Sequence, residues 1–186
     1  MSDILYGCRL MIIKEIDPET GLEKAAGKTA RFETPQQAGI THQWIEGQRT
    51  EQRGGDRLIA TIEEQAELSG VEIAFTEATL PGEGLAMLAG GTFAEDKYSA
   101  PRIGEQPKPV IAELYVARYA EGNNDASAIV GYRKWTFWSV TGRVPNYTPQ
   151  DRNFLTPQFA IRGKENAKAD KPIYEWEDVE TLPPAA

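Results

Sequence analysis

The chain has 186 residues, room for one domain with a substantial core, and two equal domains are nearly excluded. Forty per cent hydrophobic and 26% charged residues describe a folded protein rather than a disordered one. Twenty Lys and Arg against 28 Asp and Glu give a net charge of −8, which argues against a protein that grips nucleic acid by neutralising phosphates.

In chain order, residues 8–16 are rich in Ile and Met and predict a strand, with Asp17, Pro18, Glu19, Thr20 and Gly21 as turn residues and a return limb over 28–32. The apolar run from Leu10 to Ile13 is hemmed in by Arg9, Lys14 and Glu15, too tightly for a signal sequence or a membrane span, and no membrane location is expected. Residues 42–57 (HQWIEGQRTEQRGGDR) read as a long, nearly neutral loop, unusual in a compact domain unless it binds something. Trp44, Arg49, Arg53, Asp56 and Arg57 are its candidate contact residues. Residues 58–68 lean helical by composition, although Leu58, Ala60 and Ile62 also fit one strand face. Val71, Ile73 and Phe75 alternate with Glu72, Ala74 and Thr76, the period of a half-buried strand.

A short helix is expected over 82–89, started by Pro81 and stopped by Gly90 and Gly91. The β-branched and aromatic stretches 110–119 and 128–140, separated by Glu121, Gly122, Asn123, Asn124 and Asp125, form the clearest hairpin. Residues 156–162 are the last expected strand. Beyond them, 163–186 read as a polar C-terminal arm whose Tyr174 and Trp176 suggest docking on another surface.

Charge is distributed unevenly. No Lys or Arg lies between Thr61 and Asp96, whereas eight acids do, equal to the whole excess of the chain. Among Glu63, Glu64, Glu67, Glu72 and Glu77, those that share one strand face are candidates for a persistently negative surface, with Glu72 the best placed to face outward.

No catalytic constellation emerges. His42 is the only histidine, and the single Cys8 forms neither an internal disulfide nor a zinc site. Gly82-Glu83-Gly84 lacks the Lys-Ser/Thr of a phosphate loop. An enzyme, a metal and a cofactor are all unexpected. A monomeric β-sandwich binding module, with Trp44, Trp135, Trp138 or Trp176 as a stacking platform, is an alternative. Trp135 and Trp138 stand three apart on a strand and so face opposite ways.

Several stretches in order resemble the major tail proteins of long-tailed bacteriophages, the subunits of the tail tube. They are Arg53 to Ile59 (RGGDRLI) running into Glu63 and Glu64, Gly70 to Phe75 (GVEIAF), Gly82 to Gly91 (GEGLAMLAGG), Tyr132 to Phe137 (YRKWTF), and Phe154 to Arg162 (FLTPQFAIR) followed by Lys164, Glu165 and Asn166. The resemblance implies a mainly β fold, a β-sandwich or rolled β-barrel over residues 1–162 with one short flanking helix, and it makes 58–75 a strand, turn and strand. It further implies subunits that form hexameric rings stacked into a tube, located in the virion tail and assembled in the host cytoplasm. The implied partners are the chain itself and the tail terminator, distal tail and tape-measure proteins, with DNA passing through unbound. A lumen lined by carboxylates, for which Glu63, Glu64, Glu67, Glu72 and Glu77 are the candidates, would repel that DNA. A single-ring tail terminator or head-tail joining protein is the nearest alternative.

Overall fold

The computed structural model describes residues 4–120, 129–148, 151–152 and 154–184, without the side chains of 53, 54 and 58. The expected turn at Glu121 to Asp125 and the side chain of Arg53 therefore lie outside the described residues. Twelve strands and one helix are present among the described residues, and all the pairings are antiparallel.

The first strand, β1 (Ile4–Glu15), is covered on both faces: Met11 and Ile13 enter the main core, while Leu10 and Ile12 enter a smaller cluster with Tyr115. Its unbroken apolar run follows from that two-sided burial. β2 (Thr29–Phe32) pairs with one edge of β1, and β9 (Val110–Tyr119) with the other. β9 in turn pairs with β10 (Ile129–Gly142). The second layer consists of β3 (Pro35–Ile45), β6 (Glu67–Glu77) and β11 (Gln158–Gly163), with β6 central. β10 joins the layers, since its far edge pairs with β11 at Val140–Gly142. The sheet rolls until β3 comes alongside β1, where the Cys8 thiol accepts a hydrogen bond from the Ala38 amide. Burial nevertheless pushes that thiol above the usual cysteine range.

Period-two patterning accounts for the core. Val71, Ile73 and Phe75 of β6 point inward with Phe159 and Ile161 of β11. Phe75 stacks on Phe159 at 4.7 Å between ring centroids, and Phe32 meets both edge-on at 5.4 and 5.5 Å. The helix α1 (Gly82–Ala89) packs on β2 beside Phe32 and buries Leu85, Leu88 and Ala89. A side chain at Gly84 would strike the Phe32 ring, so glycine sets the depth of that contact. The helix begins after Pro81, and Gly90 at φ 82° ends it. β7 (Thr92–Ala94) and β8 (Lys97–Ser99) then make a small hairpin, with Glu95 and Asp96 at φ 51° and 58° in its turn.

Two expectations are overturned. Residues 42–57 are not an irregular loop. His42 to Ile45 complete β3, and the rest belongs to a hairpin of β4 (Arg49–Gly54) and β5 (Arg57–Glu63). The composition of 58–68, rich in Glu, Gln and Ala, yields to cross-strand pairing, which takes strand over helix as the resemblance implied. Nor do residues 163–184 extend as a free arm. β12 (Tyr174–Val179) pairs with β10 from Tyr132 to Phe137, completing the edge that β11 leaves open. Buried Asn166 anchors the return, donating through Nδ2 to the carbonyls of Gly21 (2.6 Å) and Trp138 (3.2 Å).

Candidate assembly interface

β3, β4, β5 and β6 together form one long hairpin from Pro35 to Glu77. Its lower half belongs to the sandwich, and its upper half is the separate two-stranded ribbon β4–β5. The halves meet at 46–48 and 64–66, where Gly47 lies so close to the Glu64 carbonyl that any side chain would overlap it. A two-stranded ribbon is marginal in water on its own. This one also exposes Ile59 at 64% and Ile62 at 68%, where large aliphatic side chains gain nothing unless something covers them. The register slips between Gln52 and Arg53, leaving Ile59 as an extra residue on β5.

At the base of the ribbon the inner face of β3 runs out of sandwich. Ala38 and Ile40 pack on the core, His42 hydrogen-bonds the Tyr174 hydroxyl of β12 at 3.0 Å, and Trp44 is 58% exposed. Leu68, the register partner of Trp44, lines an open groove of about 650 Å³ together with Pro172, Ile173, Tyr174, Trp176, Glu165 and Glu175. Two sets of residues assigned in the sequence to separate segments, Trp44 of the supposed loop and Tyr174 and Trp176 of the supposed arm, thus stand at one end of the sandwich.

Charge pairs add to the backbone ladder that joins β12 to β10. Asp178 takes a bidentate contact from Arg133 at 2.8 and 3.1 Å and a second ion pair from Arg118 at 3.3 Å. Lys134 pairs with Glu177, and the Arg133 guanidinium lies 4.2 Å above the Trp176 ring. Residues 180–184 continue across the outer face of the sheet, where Leu182 covers the Leu10, Ile12 and Tyr115 cluster. Arg31 there donates to the carbonyls of Pro184 (2.9 Å) and Pro183 (3.2 Å).

The hydrogen bond from Arg133, with the Arg133 and Arg118 charges, holds the Asp178 carboxyl below the usual aspartate range despite some desolvation. Its folded value lies below its unfolded one, so its contribution is complete above the unfolded value near 4 and is lost as pH falls through the folded value. Amides of β12 and of its partner stretch on β10 are expected to lose hydrogen-exchange protection in acid before those of β9 do. Simultaneous loss in all three strands would show that Asp178 does not govern this edge.

The five candidate acids do not share a face. Glu77 is a correction: it has 0% exposure, follows Phe75 on the inward register of β6, and accepts hydrogen bonds from the Thr34 amide (3.0 Å) and hydroxyl. Period two alone would have placed it there. Glu63, Glu64 and Glu67 are exposed around the break in the long hairpin. Glu72 alone stands on the outward face of β6, half-buried, bonded to the Gln43 side chain at 3.0 Å and flanked in register by Thr41 and Arg162. The rest of that face is uncharged: Gln37, Gly39, Ala74, Thr76, Gln158 and Ala160.

Of the candidate hairpin residues, Arg49 pairs with Glu51 at 2.8 Å. Asp56 sits in the turn at the tip, and Arg57 opens β5 with no partner among the described residues. The tryptophans are spread over different surroundings. Trp135 packs against the core, Trp138 has Lys171 at 4.7 Å over its ring on the opposite side of β10, and Trp176 is capped by Arg133.

No family model and no curated protein matches the chain. Among solved structures, a chain described as belonging to the cryo-EM structure of the anti-feeding prophage baseplate, six-fold symmetrised, is similar over 97% of this chain and 100% of that one. The identity is 11% and the TM-score 0.42, a likeness too slight to assign this chain a role.

Proposed function

We propose that this chain is a non-enzymatic structural subunit of a bacteriophage tail tube, assembling into hexameric rings that stack as the conduit for DNA. The observation that carries the reading is the long hairpin of residues 35–77, whose projecting half has no use for Ile59 and Ile62 unless a neighbouring subunit covers them. Closing a ring requires two different complementary patches on each subunit, and a projecting ribbon can supply one of them. The ordered motif resemblance from Arg53 to Asn166 supports the same assignment.

In this reading the outward face of β3, β6 and β11 lines the lumen. Its other side chains are uncharged, and Glu72 opposite Arg162 balances its charge, so it offers DNA phosphates no cationic grip. Glu63, Glu64 and Glu67 add negative charge nearby and favour passage over adhesion. Tail terminator, distal tail and tape-measure proteins are the expected partners of the finished tube, which belongs to the virion tail.

Electron microscopy of the purified protein at rising concentration, with and without partner tail proteins, tests the reading. Six-fold rings and stacked tubes are expected. Rings that never stack would favour a terminator or head-tail joining protein, and particles of monomer size under every condition would exclude both.

A further inference from the structure

We infer that the outer face of β1, β2 and β9 is a seat for a Leu-Pro-Pro segment, and that residues 180–184 are its resident ligand, a latch that opens without unfolding the sandwich. The inference does not depend on the tail tube reading. Val179 still pairs with Tyr132 of β10, Leu182 lies against Leu10 and Ile12 of β1 and Tyr115 of β9, and Pro183 and Pro184 end at Arg31 of β2. The segment thus crosses the strand order β12, β10, β9, β1, β2 from one side to the other. Four strand spacings come to about 19 Å, and the five steps from Val179 to Pro184 cover about 17 Å when extended. Little slack is left, and the long Arg31 side chain closes the remainder.

The chemistry of the segment suits a crossing rather than a ladder. Pro183 and Pro184 have no amide to give and hold φ near about −65°, and each disfavours helix in the residue before it, so Leu182 and Pro183 are kept extended. A ligand already extended loses little freedom on docking. The seat answers each group it presents. Leu182 packs on the Leu10, Ile12 and Tyr115 cluster, beside Tyr132 and Val179. The proline carbonyls are taken by Arg31, whose Nη1 donates to Pro184 at 2.9 Å and Nη2 to Pro183 at 3.2 Å. The Arg31 side chain is only 19% exposed, and its ion-pair partner Glu33, 3.4 Å from Nε, is 64% exposed. Lifting the segment would strip Arg31 of two acceptors and bare the cluster beneath Leu182.

The latch is separable from the fold because it touches the small outer cluster and not the main core. The strand that feels it is β2, four residues long and paired with β1 alone. Arg31 faces the latch, while Ala30 and Phe32 on the other side of the same strand enter the main core. The last residues of the chain therefore fasten the strand against which α1 packs.

A synthetic peptide of residues 179–186 (VETLPPAA) tests the seat, titrated into the isotope-labelled full-length chain and followed by amide chemical shifts. In the intact chain the tethered segment faces its seat at an effective concentration on the order of millimolar, so a latch that is mostly closed needs an affinity of that order or tighter, and a titration to several millimolar must reveal it. Leu182→Asp opens the latch, with circular dichroism checking the fold. This variant is expected to bind the peptide at least about tenfold more tightly than the unsubstituted chain, whose own segment competes, with shifts centred on Leu10 to Ile12, Arg31 and Tyr115. Adding Arg31→Ala is expected to weaken that binding about tenfold, the loss of its charge-assisted hydrogen bonds. No binding to the Leu182→Asp chain, or equal binding to all three chains, would overturn the seat. Arg31→Ala in the otherwise unsubstituted chain gives a second measurement by hydrogen exchange. Amides of β2 are expected to lose on the order of tenfold protection while those of β6 and β11 keep theirs. Equal loss in all three strands, or none in β2, would overturn the latch.

Discussion

Replacing Ile59 and Ile62 together with aspartate is expected to abolish assembly while leaving the subunit folded. Both side chains are exposed in the free chain, and substitutions at such positions usually change stability by no more than about 0.5 kcal/mol. In a ring each would be buried, and each buried aliphatic side chain is worth about 1.5–3 kcal/mol. Losing both removes roughly 3–6 kcal/mol per contact, which raises the concentration needed for assembly by about 10²- to 10⁴-fold. Light scattering across a concentration series reads this shift, with circular dichroism confirming the fold. Assembly of the double variant at the unsubstituted concentration would mean that the ribbon stands clear of every neighbour.

The opposite result is expected at Phe75. It stacks on Phe159, meets Phe32 edge-on, and is almost wholly buried, so Phe75→Ala opens a cavity in the main core. Such truncations cost about 3–5 kcal/mol. For a domain of this size about 1 kcal/mol moves the unfolding midpoint by 2–4 °C, so a fall of roughly 6–20 °C is expected, with Phe75→Leu retaining much of the loss. A fall below a few degrees would mean that the three rings do not form one packed unit. The two experiments separate the chain's two apolar surfaces, one that makes the fold and one that the fold leaves exposed.

Much of the sandwich was legible because its strands carry clean local signals. Val71, Ile73 and Phe75 announce one wet and one dry face, and the continuous run Leu10 to Ile13 announces burial on both. The helix was bounded by Pro81 and Gly90. The long hairpin was hidden for a different reason. Its upper half is nearly all polar on β4, with Arg49, Thr50, Glu51 and Gln52 in sequence, and carries an extra residue at Ile59, so neither strand alternates. Strands that lean on a neighbour outside the fold need not show an inward face. β12 was missed because its signal is relational. Glu175, Trp176, Glu177 and Asp178 look like a solvated acidic tail until they are set against Arg133 and Lys134 of β10, and cross-strand charge pairs between segments far apart in sequence are invisible to any local pattern. Glu77 could have been placed correctly from its parity with Phe75.

The double use of β10 bears on how the chain is made. From Tyr132 to Phe137 its second edge has no partner until β12 has been synthesised, so a nascent chain displays a row of unpaired amides and carbonyls beside the Trp135 and Phe137 side chains. Such an edge invites pairing with the wrong strand of another nascent chain. The groove also takes its Tyr174 and Trp176 wall from β12, so the step that seals the edge is the same step that forms the groove. The groove at this end of the sandwich therefore exists only once the sheet is closed, and the order of translation makes both of them late features of the fold.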